Sequence, residues 1–254
     1  MANIVPKVFP DEPSSWNEIT KLYSSTEWMA PEDGWFKFIV AGRGGSGGAS
    51  YCSNWGNSTG LKLGSGGGAP GCSISEIALN KGDSVQITMN GSKTLCVVKG
   101  LTMAATNGSN GGYALSNSDY NGGTGGTASC GNKSNHNGPT GGSTGPQVQT
   151  SDYYGSKVLG RSGGQLSVDG YSFYGGTGGG GTRKLYTDSN SSFYLWDKEV
   201  SPTGGSAAVC IILRGNTNIP LDVQNAHNIT TNALAIVALA QKQTGILLNT
   251  LVQL

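Results

Sequence analysis

Apolar and polar residues alternate most clearly over residues 84–89, where the apolar positions are Val85, Ile87 and Met89. A spacing of two predicts a β-strand with one buried face. The dipeptide Asn90-Gly91 follows, and it is typical of a tight hairpin turn, so residues 94–98 are predicted to return as the paired strand. Cys96 within that return is interpreted as a small core residue and not as a reactive thiol.

Three other apolar stretches predict strands on either side of this hairpin. Residues 72–79 form a strand candidate, and residues 36–40 follow a turn signal in which Pro31 precedes Gly34. Residues 207–213 are apolar throughout, as in a strand that is buried on both faces. The fold class predicted from these patterns is therefore mainly β.

Both ends of the chain depart from the β pattern. Residues 1–25 are predicted to be an arm or connector, in which the capping-box spacing of Ser15 and Glu18 favours one short helix. Residues 215–254 are assigned as a C-terminal segment, and the only long helix is predicted within it, at 221–254. That helix is apolar on more than one face, which favours a self-associating bundle over packing on the protein's own β domain.

The middle of the chain, between about residues 42 and 181, repeats glycine at every third position. The repeat is clearest in three runs: 42–48, 122–126 and 175–181. A period of three is that of a polyproline-II-type helix, in which a glycine edge lets neighbouring backbones approach. The sequence leaves two alternatives open here, namely ordered polyglycine-II helices or irregular Gly/Ser-rich loop. The predicted domain, 26–214, is thus a glycine-rich β-sandwich-like unit with long loops.

Composition and charge restrict the chemistry. Glycine contributes 43 of 254 residues, the charged fraction is 12%, and the net charge is +1. With so little charge, no basic surface for nucleic acid or anionic lipid is predicted. The five cysteines form no CxxC pair and are predicted to be free thiols. No catalytic or metal-binding motif is present, so we expect no enzyme activity, cofactor or metal.

Aromatic residues are spread among Gly, Ser and Asn between residues 113 and 196. Rigid rings among small, adaptable residues are typical of a binding surface. The alternative is that the rings cap glycine segments or fill gaps. The candidate receptor-binding residues are Tyr113, Tyr120, Tyr153, Tyr154, Tyr171, Tyr174 and Trp196.

Five stretches in this order resemble the glycine-rich domain of bacteriophage and phage-tail-like-particle receptor-binding proteins: 28–35, 41–48, 66–71, 80–85 and 204–209. The similarity covers roughly residues 26–214, and the composition is also similar to the polyglycine-helix adhesins at the tail-fibre tips of T-even-type phages.

The resemblance implies a tail-fibre adhesin, a homotrimer, that binds a bacterial surface receptor, with a glycan as the expected receptor, through multivalent loop contacts. Such a protein would be made in the bacterial cytoplasm and act in the virion or tail-like particle beside other tail and baseplate proteins. It would neither bind nucleic acid nor insert in a membrane. The alternative function is a structural baseplate or tail connector without direct receptor binding.

If residues 221–254 join the subunits, the full chain should be a closed oligomer, and a 1–220 truncation should dissociate because it loses that apolar helix. Light scattering at micromolar concentration measures both masses. A full-length chain that is monomeric at that concentration would contradict the prediction.

Overall fold

The computed structural model describes residues 12–55, 58–114, 121–142, 157–187 and 192–216. Residues 16–215 form one compact unit. The second unit joins residues 1–15 with 216–254 and lies almost entirely outside the described residues. The helix predicted for 221–254 lies outside them as well, so it stays a prediction.

The fold is mainly β, as predicted, and the described residues contain strands but no helix. In chain order the strands are β1 (Ser15–Leu22), β2 (Thr26–Met29), β3 (Gly34–Ala41), β4 (Tyr51–Trp55), β5 (Ser58–Lys62), β6 (Cys72–Leu79), β7 (Ser84–Met89), β8 (Lys93–Val98), β9 (Leu101–Thr106), β10 (Ala128–Ser129), β11 (Ser134–His136), β12 (Lys157–Val158), β13 (Gln165–Val168), β14 (Tyr171–Tyr174), β15 (Gly180–Thr187), β16 (Ser192–Val200) and β17 (Val209–Asn216).

Two five-stranded sheets pack against each other. The first sheet has the order β1-β17-β3-β6-β11, and the second has the order β10-β9-β8-β7-β2. Alternate residues of β3, among them Phe36 and Phe38, point between the sheets and are fully buried there with Ile87 and Ile212. Trp28 packs at the edge of this core, and its ring centroid lies 5.3 Å from the ring centroid of Phe36.

A second core lies on the opposite face of the first sheet. The hairpin of β13 and β14 contributes Val168 and Phe173, which pack with Ile39, Ile74 and Ile211 of the sheet. The first sheet is therefore covered on both faces, which explains why β17 carries an uninterrupted apolar run.

The strand predictions for 72–79, for the Asn90-Gly91 hairpin and for the buried closing strand are confirmed by β6, β7–β8 and β17. The short helix predicted after Ser15 is wrong, because β1 occupies residues 15–22 at the edge of the first sheet. Pairing beside β17 and packing of Trp16 on the second core outweigh the local capping signal.

Between the strands run extended segments that lack ordinary secondary structure. In the described part of the chain there are eight, named glycine segments 1 to 8: 42–50, 63–71, 107–114, 121–127, 137–142, 159–164, 175–179 and 201–208. Their backbone N–H groups bond to carbonyls of neighbouring segments, and partners recur every third residue. An interval of three residues is the repeat of a polyproline-II-type helix, which has no internal hydrogen bonds.

Glycine segment 2 lies at the centre of these contacts and is buried throughout. The N–H groups of three successive residues donate to segments 7, 3 and 5, and the next three residues repeat that order. The first three bonds run from Gly64 to Gly179 O, from Ser65 to Gly112 O and from Gly66 to Gly142 O. The carbonyls of the same residues accept from segments 6, 1 and 4, again in an order that repeats every three residues. The first three of these bonds run from Arg161 to Gly64 O, from Gly48 to Ser65 O and from Gly123 to Gly66 O. Six described segments therefore surround one central segment.

The six outer segments also bond to each other and close a ring. The order is 1, 3, 4, 5, 6, 7 and back to 1, through Gly108 to Arg43 O, Ser109 to Thr124 O, Gly141 to Gly123 O, Gly142 to Ser162 O, Gly178 to Arg161 O and Gly176 to Gly45 O. Segment 8 packs outside the ring against segments 1 and 7. Backbone pairing thus takes the place of a side-chain core in this region.

Polar side chains complete the hydrogen bonding at the surface of the bundle. Asn107 and Asn110 of segment 3 accept from the backbone N–H of Arg43 and Ser46 at 2.8 Å. Thr203 Oγ1 accepts from the N–H of Thr177 in the same way. These N–H groups therefore bond to a side chain of the neighbouring segment and not to its backbone, which gives Asn and Thr a structural role in the glycine-rich region.

Replacing Gly67 by Ala should unfold or severely destabilise the protein. A Cβ there would lie 2.1 Å from Gly45 O, and a backbone atom cannot move aside as a flexible side chain can. We expect a loss of ~3 kcal/mol or more in the free energy of unfolding, measured by denaturant titration.

Gly204→Ala is the matched control for that measurement. Gly204 lies in segment 8, and a Cβ at this position would meet no atom within 4 Å. Its effect should stay within ~0.5 kcal/mol. Equal tolerance of both substitutions would show that close backbone packing does not hold the bundle together.

The cysteines occupy very different environments. Cys72, Cys96 and Cys210 are fully buried, Cys52 is partly buried and Cys130 is exposed, all as free thiols. Burial raises the pKa of Cys72 to about 12, and the nearby Asp169 adds to this. A hydrogen bond with Cys96 and burial raise the pKa of Cys210 well above its usual value.

Thiol labelling of the native protein at mildly alkaline pH should therefore modify Cys130 quickly and the three buried thiols only after denaturation. The reason is that the thiolate is the reacting species, and burial suppresses both its formation and access to it. Mass spectrometry of the labelled peptides, with and without denaturant, measures this order. A thiol that stays unlabelled in denaturant without a reductant would indicate a disulfide and overturn the assignment.

Candidate functional site

The glycine segments run in strictly alternating directions, so the bundle has two distinct ends. Neighbours along the chain, such as segments 1 and 2, pair with opposite polarity, whereas segments 1 and 3 pair with the same polarity. At one end, the sheet end, the segments continue into β3, β6, β9, β10, β11, the β13–β14 hairpin and β17. At the other, the hairpin end, they continue into β4–β5 and the sheet of β12, β15 and β16.

The hairpin end carries two packed β hairpins. The β4–β5 hairpin lies against β16, and a small apolar cluster beneath it contains Leu61 and Leu63 with Cys52 and Val158 beside them. Segments 3 and 5 also finish at this end, at Ala114 and Gly142, and the residues that follow each of them lie outside the described residues. In the described residues, the hairpin end thus carries the β4–β5 hairpin and the sheet of β12, β15 and β16 on a base of paired backbones.

Two of the predicted binding residues belong to the hairpin end. Tyr113 is the second-last residue of segment 3, and 68% of its surface is exposed. The next residue, Ala114, donates its N–H to Ala49 O, which fixes the backbone beside the exposed ring. Trp196 lies in β16, opposite Arg183 in the register with β15. Tyr120, Tyr153 and Tyr154 lie outside the described residues and stay predictions.

Tyr171 and Tyr174 lie instead at the sheet end, on β14. The Tyr171 hydroxyl donates to Glu18 Oε2 at 2.6 Å, and Lys21 Nζ lies 5.3 Å from the ring centroid. That hydrogen bond lowers the pKa of Glu18, while burial and the same carboxylate raise the pKa of Tyr171 to about 12. Tyr171 therefore fastens the β13–β14 hairpin to β1. Tyr174 is 46% exposed.

A shallow groove of about 240 Å³ lies beside Tyr171, between β1, β14 and β17, with Phe173, Val209 and Ile211 in its wall and Tyr23 at its rim. The sequence pattern did not identify Tyr23, which is 62% exposed, because it belonged to the predicted arm. No pattern in the sequence marks Tyr23 as a neighbour of Tyr171, because the stretch before it was predicted to be helical.

The candidate aromatics in the described residues therefore divide between two ends of one bundle and do not form a single surface. Closeness in sequence does not bring these residues together, because the chain crosses the whole bundle between successive connections. The hairpin end is the stronger candidate site, since Tyr113 is free of the side-chain tether that holds Tyr171.

The described part of the chain brings together no group of three or more residues able to ligate a metal ion. Nor does any helix among the described residues have the length and apolar character needed to cross a membrane. No protein-family model matches the chain, and no curated protein is detectably similar to it in sequence.

Proposed function

We propose that this protein is a receptor-binding protein of a bacteriophage or phage-tail-like particle, which attaches to a glycan or another receptor on the bacterial surface. The observation that carries the proposal is the alternation of the glycine segments, which places the β4–β5 hairpin, the sheet of β12, β15 and β16 and the end of segment 3 at one end of the bundle. Binding residues are commonly placed on loops that a rigid scaffold positions.

We further propose that the glycine segments are polyglycine-II helices and that their bundle is this scaffold. Hydrogen bonds of 2.8 to 3.4 Å join the central segment to its neighbours on every side. Since the bundle depends on backbone atoms, the connections between segments can change in sequence without disturbing it. Such separation of scaffold and loops suits a protein whose receptor varies.

The two ends also suit separate tasks. The compact unit begins with β1 and finishes with β17, which are neighbours in the first sheet at the sheet end. Attachment to other tail or baseplate proteins through the flanking residues would leave the hairpin end directed away from the particle. In a trimer, three weak sites would then act together on one cell surface.

Alanine substitution of Tyr113 and Trp196 together should weaken binding of the purified protein to host cells. Each ring offers a face for stacking and a polar atom for hydrogen bonding, so each loss should cost ~1–2 kcal/mol per site and more in a multivalent particle. Flow cytometry of fluorescently labelled protein across a panel of bacterial strains measures the change. Periodate oxidation of the cells should abolish binding if the receptor is a glycan.

The matched control is Tyr174→Ala, because this exposed tyrosine lies at the opposite end of the bundle. It should bind at wild-type strength. All variants must keep their oligomeric mass and melting temperature. Loss of binding in Tyr174→Ala alone would move the site to the sheet end.

A structural tail connector is the second candidate function. The tether between Tyr171 and Glu18 favours it, because that candidate ring serves packing and not ligand contact. Unchanged cell binding in every folded aromatic variant, including those at Tyr120, Tyr153 and Tyr154, would support the connector and reject the adhesin.

A further inference from the structure

Lys37 is an amine enclosed by two carboxylates on the second core. Its Nζ lies 3.0 Å from Glu76 Oε1 and 3.0 Å from Asp169 Oδ2. Lys37 and Glu76 are direct cross-strand partners in β3 and β6, whereas Asp169 lies in the turn between β13 and β14. The same Nζ lies over the ring of Trp16, 4.8 Å from the ring centroid.

This cluster differs from the other ion pairs in its burial. The side chains of Lys37 and Glu76 are only 12% and 7% exposed, and Asp169 covers them from the hairpin turn. Glu76 also contacts Lys133 through its other oxygen, Oε2, at 3.0 Å. The ion pair of Lys99 and Asp83 has a similar distance, 2.9 Å, but its side chains are 40% and 28% exposed.

We propose that Lys37 and Asp169 form an intramolecular isopeptide bond, with Glu76 carrying the proton. An amine held in contact with a carboxyl group reacts at a very high effective concentration. Glu76 lies within hydrogen-bond distance of the attacking nitrogen, as a general acid–base group must.

The reaction balances with no external reagent. The lysine ammonium holds three hydrogens and the Asp169 carboxylate holds none. Lys37 Nζ attacks Cγ of Asp169, one hydrogen stays on the amide nitrogen, and two leave with one aspartate oxygen as water. Glu76 takes one proton from the ammonium before the attack and a second from the nitrogen after it, and passes each in turn to the departing oxygen, so Glu76 ends unchanged. The partial exposure of Asp169 gives the water a route to solvent.

The turn that carries Asp169 holds the carboxyl group in place. Asp169 and Gly170 both adopt left-handed backbone angles, with φ values of 48° and 78°. β13 and β14 pair in continuous register up to Val168 and Tyr171 on either side of that turn. A covalent bond here would lock the hairpin onto the first sheet and close a loop containing glycine segments 1 to 6.

The intact mass of the denatured, full-length protein measures the bond. We expect a mass lower than the sequence mass by one water, and a proteolytic fragment in which the peptides containing Lys37 and Asp169 are joined. Peptides containing Lys99 and Asp83 from the same digest should be separate, which controls for unspecific dehydration. The full sequence mass in protein incubated for days under native conditions would overturn the proposal.

Two variants test the assigned roles. Lys37→Arg keeps the positive charge but lacks the nucleophilic amine, so it should show the full sequence mass while remaining folded by circular dichroism. Glu76→Gln keeps the shape but cannot exchange the proton, and should show the full mass with a lower melting temperature than the linked protein. A folded Glu76→Gln protein that still loses water would overturn the role of Glu76.

Discussion

The close approach of backbones at glycine is the constraint on which the rest of the structure depends. At Gly67 and Gly68 a single added carbon would lie 2.1 Å and 2.0 Å from backbone oxygens of other segments. Glycine at these positions lets segment 2 form backbone hydrogen bonds to six neighbouring segments. The buried N–H groups of residues 64–69 all donate to carbonyls of other segments, because a buried N–H must find a partner. Glycine is therefore needed for the close approach of the backbones, and that close approach is needed for the hydrogen bonds between segments.

The two kinds of core stabilise the protein by different physics. Between the sheets, Phe36, Phe38 and Ile212 are removed from water, and the stabilisation comes from apolar burial. In the bundle, little apolar surface is available, and satisfied backbone groups with tight packing replace it. The strands and segments are continuous in the chain, as where β3 leads into segment 1. The hydrophobic sheets thus hold one end of each segment in register for the next.

The same alternation of segment directions determines which residues lie together at one end of the bundle. A chain that crosses the bundle between successive connections presents every second connection at the same end. Tyr113 and Trp196 are far apart in sequence but belong to the hairpin end, whereas Tyr171 and Tyr174 belong to the sheet end. The sheet end is also where charged residues hold elements together, through Glu18 with Tyr171 and through Lys37 with Glu76 and Asp169. Recognition at the hairpin end would leave those contacts untouched.

Sequence alone determined the local features of this protein. The alternation at Val85 and Ile87, the turn at Asn90-Gly91 and the apolar run of β17 predict strands, because each signal arises from neighbouring residues. The period of three likewise indicated how glycine segments could pack, though not that they do. Only the tertiary structure decided that segment 2 is central, that Ser15–Leu22 is a strand and not a helix, and that Tyr113 lies at the opposite end of the bundle from Tyr171 and Tyr174. Those outcomes depend on partners distant in sequence, such as Gly48 with Ser65 or Tyr171 with Glu18, and no local pattern records which segments will meet.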